Sequence, residues 1–120
     1  MRRDYRVFLQ DVLEAAGNVA EFVGTMTLDE FRGDKKTLHA VVRDLEVIGE
    51  AIKQIPAEIQ ARYPHVPWQR IAGLRDILIH HYFEIDVEIV WDIVQNKLPE
   101  LKPLIEAVLG ENLADPQQQP

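Results

Sequence analysis

Apolar residues return every three or four positions along most of this chain, and no stretch alternates with period two. In the first segment Tyr5, Phe8, Leu9, Val12, Leu13, Ala16, Val19, Ala20 and Val23 form one stripe, opposite Arg6, Asp11, Glu14 and Glu21. That spacing predicts an amphipathic helix. Gly24 is placed to stop it, and Thr27-Leu28-Asp29-Glu30 reads as a capping box opening a short helical turn before Gly33. A second stripe of Leu38, Val41, Val42, Leu45, Ile48, Ala51, Ile52 and Ile55 predicts a long helix over 35–55. Pro56 limits it, because proline lacks an amide donor and clashes with the preceding turn.

Residues 57–63 read as a short helix ended by Pro64, with 64–67 a tight connector. Pro67 then opens a third helix containing Trp68, Ile71, Leu74 and Leu78. After Tyr82-Phe83, Asp86 can cap a fourth long helix whose apolar set is Ile89, Val90, Ile93, Val94, Leu98, Leu101, Leu104, Ile105 and Val108. Pro99 and Pro103 fall inside that set and predict a kink or break near 97–100. From 111 onward the sequence turns polar, which predicts a disordered tail over 111–120 and a single domain over 1–110. Four main helices plus short helical turns, joined by short connectors, imply an all-α, up-and-down helical bundle. One wide apolar helix face left over after intrachain packing would serve a symmetric dimer.

Composition narrows the chemistry. At 120 residues the chain can form one domain with a real core, burying roughly two-thirds of the surface its unfolded form exposes. It has no cysteine, so disulfides and thiolate metal sites are excluded, and a reducing cytoplasmic setting is expected. No apolar run approaches the roughly 20 residues of a membrane-spanning helix, so no membrane role is expected. The net charge of -7 argues against broad attraction to nucleic-acid backbone, since that needs many cations to neutralise phosphates. Any RNA role must therefore be local, in a small cationic cleft or on a surface that a basic partner completes.

No glycine-rich phosphate loop, metalloprotease helix motif or nucleophile elbow is present. Polar chemistry gathers instead in Arg75-Asp76-Ile77-Leu78-Ile79-His80-His81-Tyr82. His80 can exchange a proton with a ribose hydroxyl or leaving oxygen near neutral pH, and Arg75 can hold phosphate oxygens bidentately. Asp76 can orient His80 or favour its charged form, and Tyr82 offers a hydroxyl, a stacking ring or a modification site. On one continuous helix Asp76 and His80 would share a face, while Arg75 and His80 would sit about 140° apart. Their convergence then needs the length of Arg75, a loosened last turn or a second subunit. A metal held by Asp76 and His80 would have two ligands and no visible third, so neither a metal nor a cofactor is expected. His81 reads as a solvent-facing or packing residue, His39 and His65 have no partner pattern, and Trp68 and Trp91 read as core or interface aromatics.

The motif resembles the R-x-x-x-x-H pattern of the HEPN superfamily, and more closely the R-x-x-x-x-H-x-Y of its HepT-like branch. The resemblance runs from Tyr5 to Leu101, through Arg43-Asp44-Leu45-Glu46-Val47-Ile48-Gly49-Glu50-Ala51, Tyr63-Pro64-His65-Val66-Pro67-Trp68 and Val90-Trp91-Asp92-Ile93-Val94. It implies an all-helical homodimer, within a larger hetero-oligomer where a partner joins it. In that dimer Arg75 and His80 line a cleft between protomers and cleave RNA as the toxin of a toxin-antitoxin module. It also implies an MntA-like minimal nucleotidyltransferase as antitoxin, with Tyr82 as the AMP acceptor and Asp76 as a supporting residue. The competing expectation is a noncatalytic HEPN dimer that binds a nucleotide or a nucleotidyltransferase as a regulatory subunit. Two positions depart from many relatives: Asp76 stands where they have Asn, and Glu84 where they have Gly. Both add negative charge beside a site expected to bind phosphate.

Overall fold

The computed structural model describes residues 4–80 and 84–114, and at positions 75, 79, 80, 84 and 112–114 the backbone alone. The fold is all-α. The first helix, α1 (Tyr5–Val23), starts where the Asp4 carboxylate accepts the Arg6 amide at 2.9 Å, and it buries Leu9, Val12, Ala15, Ala16, Val19 and Val23. It ends at Gly24, whose φ of 52° favours glycine. The expected capping box opens α2 (Leu28–Arg32): Thr27 Oγ1 accepts the Glu30 amide at 3.2 Å, and Glu30 Oε1 accepts the Thr27 amide at 3.0 Å.

The central helix α3 (Lys35–Lys53) is capped by Asp34, which accepts both the amide and the hydroxyl of Thr37. It stops two residues short of the end its stripe predicts, and Ile55 is buried from the turn that follows. Helix α1 lies along α3, and α8, defined below, packs on α1 to close the core. Pro56 precedes α4 (Ala57–Arg62). The connector after it is tight as expected, with the buried Trp68 indole donating to the Tyr63 carbonyl at 3.0 Å.

The third predicted helix is two helices, α5 (Trp68–Ala72) and α6 (Leu74–Leu78), divided at Gly73. Glycine is a poor helix former, and here the Asp76 amide turns back to the Gly73 carbonyl at 3.1 Å, a bond of the tighter i to i−3 type. The corner is held by α3. A Cβ built on Gly49 would lie 3.3 Å from the Ile71 carbonyl and 3.5 Å from that of Ala72, so a residue without a side chain lets the two backbones approach.

Beyond α6 the chain leaves the helix. Strand β1 (Ile79–His80) pairs antiparallel with β2 (Glu84–Ile85), Ile79 opposite Ile85 and His80 opposite Glu84. This is the only strand pairing among the described residues.

Asp86 then caps α7 (Val87–Asp92), as expected, by accepting the Ile89 amide at 3.1 Å. Where Pro99 and Pro103 predict a kink or break, the chain stays helical through α8 (Leu98–Ala114). The adjustment comes one turn earlier, in a π-helical turn over Ile93–Lys97 where the Leu98 amide bonds the Ile93 carbonyl. A wider turn there relieves the crowding between a proline ring and the carbonyl four residues before it.

Helix α8 also runs past Gly110, four residues into the stretch that composition assigns to the tail. Glu111 has a tertiary partner: Tyr63, whose phenol is pushed up first by burial and then by its hydrogen bond with the Glu111 side chain. Trp91 meets Phe31 with ring centroids 5.3 Å apart, a packing aromatic as expected. Among the described residues no helix is long and apolar enough to cross a membrane.

Candidate active site

Helix α6 is short and carries two of the four candidate residues. Leu74 and Leu78 fix its orientation, being 8% and 0% exposed, so the helix is anchored by one face at both ends. Between them lie Arg75, Asp76 and Ile77, with Asp76 and Ile77 open to solvent. The sequence places the chemistry on the free side of a helix that the core pins from behind.

His80 is not on that helix. Helix α6 ends at Leu78 and His80 sits in β1, its backbone opposite Glu84. The shared Asp76–His80 helix face, and the angle of about 140° between Arg75 and His80, both assume helix through His80 and do not hold. Physically, the Leu78 carbonyl accepts the Asp86 amide at 3.3 Å, and Ile79 pairs with Ile85. These contacts supply the bonds that another helical turn would have made. Ile85 is partly buried against the core, which seats the returning strand. Arg75 and His80 therefore lie on adjoining elements of different type, either side of one junction. Tyr82, the expected AMP acceptor, lies outside the described residues, as do His81 and Phe83.

Beside α6 the structure opens a groove of about 450 Å³ between α5–α6 and the long helical run of α7, the π turn and α8. Its floor is aliphatic, and Arg70, Asp92, Lys97 and Glu100 are its charged lining residues. The sequence reading passed over this feature, although one signal was present. Ile77 falls outside the apolar stripe of its helix, and it is 42% exposed at the groove. Among the described residues no three His, Asp or Glu side chains are grouped to hold a metal ion.

Comparison with known proteins agrees with this arrangement. A family model described as "Ribonuclease HepT-like" matches residues 12–108. "Putative RNase MJ0127" of Methanocaldococcus jannaschii is 50% identical over 115 residues, covering 92% of this chain and 95% of that protein. "Putative RNase MJ1216" of the same organism is 44% identical, over 92% of this chain and 91% of its own length. "Probable ribonuclease HepT" of Thermococcus cleftensis is 42% identical over 106 residues, covering 88% of this chain and 96% of that protein. No solved structure matches. A family match spanning the core helices and the α6–β1 junction, with relatives similar over nearly their whole length, places this chain in the ribonuclease HepT-like family.

Proposed function

We propose that this chain is a metal-independent RNA endonuclease in which Arg75 and His80 carry the reaction. The observation that carries this reading is the pairing of family membership with an Arg75 and a His80 set either side of one anchored junction. Arg75 holds the phosphate oxygens, and its planar guanidinium steadies the charge that grows there during transfer. His80 moves the proton between the ribose hydroxyl and the leaving oxygen near neutral pH. Asp76 supports them from the exposed side of α6. The working unit is a homodimer whose cleft brings two such junctions together. It acts in the cytoplasm as a toxin, neutralised when an MntA-like minimal nucleotidyltransferase transfers AMP to Tyr82.

The test is cleavage of a defined RNA by the purified chain in the presence of a chelator. Wild type should cleave, and His80→Ala should lose roughly a hundredfold or more. Absence of cleavage by wild type sinks the enzyme reading. Co-expression with the nucleotidyltransferase should add the mass of one adenylyl group at Tyr82 and silence the activity.

A second reading has one observation in its favour, the net charge of -7, which opposes RNA binding. In it the chain is a noncatalytic dimer that regulates a nucleotidyltransferase or binds its nucleotide. Partner affinity would then survive His80→Ala, with no RNA cleavage by any form.

A further inference from the structure

We propose that the groove between α5–α6 and α7–α8 is the surface on which two copies of this chain meet, each inserting its Ile77 into the other's hollow. This deepens the dimer proposed above by naming its face, and it rests on that reading for its consequence at Arg75 and His80.

The surface carries a knob and a hole side by side. Ile77 stands 42% exposed on α6, while the hollow next to it is floored by Ile71, Leu74, Ile93, Leu98, Leu101 and Leu104. A patch that offers an apolar projection and an apolar recess together is complementary to itself under a two-fold axis, where residue i meets j and j meets i. The charges fit the same partner. Arg70 and Lys97 line the groove together with Asp92 and Glu100, and none of the four is in an ion pair among the described residues. Two cations and two anions around an apolar middle suit a second copy, which brings the opposite charge to each. An RNA strand laid along the groove would meet Asp92 and Glu100 as like charges. Because Leu74 and Ile77 flank Arg75 and Asp76 on α6, contact across this face carries both motif segments to the interface.

The experiment is the solution mass of the full chain by light scattering, for wild type, Ile77→Glu, Leu104→Arg and Phe22→Glu. Phe22 is equally exposed, at 42%, but does not line the groove. Wild type and Phe22→Glu should give twice the 13.8 kDa of one chain. Ile77→Glu and Leu104→Arg should give a single chain with unchanged helical circular dichroism, because neither residue is in the buried core. A monomeric wild type, dimers that survive both groove variants, or dissociation by Phe22→Glu alone would overturn the proposal. The two readings fail separately: a dimer broken by Ile77→Glu that cleaves no RNA keeps the interface and removes the ribonuclease. A monomer that cleaves RNA does the reverse.

Discussion

The backbone of His80 lies opposite that of Glu84 in antiparallel register, which holds a carboxylate-bearing residue level with the proposed proton carrier. A negative charge at that register position opposes an incoming phosphate, and removing it while keeping the side chain's length should ease binding. Glu84→Gln should lower KM for RNA roughly two- to threefold, the scale of about half a kcal/mol for exposed charges. The gain should fade at high salt as screening grows. Initial-rate kinetics at two ionic strengths check this, and an unchanged KM at low salt would show that Glu84 does not face the substrate.

Gly49 sets how closely α3 approaches the α5–α6 corner, since a Cβ there would sit 3.3 Å from the Ile71 carbonyl. A single methyl can be absorbed by a small shift, and alanine gains helix propensity in exchange. Two further methyl groups cannot. Gly49→Val should destabilise the fold by about 1–3 kcal/mol through overpacking, read as a lower denaturant midpoint. Since α6 rides on that corner, RNA cleavage should fall even in the fraction that stays folded.

Much of this was legible in the sequence, and the failures share a cause. The stripes of α1 and α3, the Thr27 box and the Asp86 cap are local patterns, read within a turn or two of the residues that make them. Arg75, Asp76, His80 and Tyr82 were found by residue type and spacing. What the spacing could not show was that the helix ends at Leu78. That end depends on bonds to Asp86 and Ile85, which are remote from the motif in sequence. The π turn over Ile93–Lys97 and the extension of α8 through Glu111 have the same origin: tertiary contacts overrode the local rule for proline and for a polar tail.

The cap of α3 should be visible in the acid limb of stability. The Asp34 carboxylate accepts the Thr37 amide and then its hydroxyl, which holds it below the ordinary carboxylate value of 3.8. With the folded value depressed, the unfolded chain takes up its proton first as pH falls. The stabilisation is therefore complete above about pH 3.8 and is lost as pH drops through the folded value. Asp34→Ala should be less stable than wild type at pH 7, and the gap should close toward pH 3. Urea midpoints across that range measure it. A gap that is constant with pH would mean that the carboxylate's charge contributes nothing to the cap.

The last prediction separates a site built within one chain from one shared by two. Arg75→Ala and His80→Ala homodimers should each be inactive, whichever arrangement holds. If Arg75 of one copy works with His80 of the other, a mixed dimer keeps one complete pair and loses both residues at the opposite site. With random exchange half the dimers are mixed, so the equimolar mixture should recover about one quarter of wild-type activity. If the pair lies within one chain, every chain in the mixture lacks one member and no activity returns. The position of His80 in β1, off the α6 helix that carries Arg75, leaves both pairings open to the backbone. Recovered activity would therefore assign the pairing, provided that the same mixture made with Ile77→Glu in both copies recovers none.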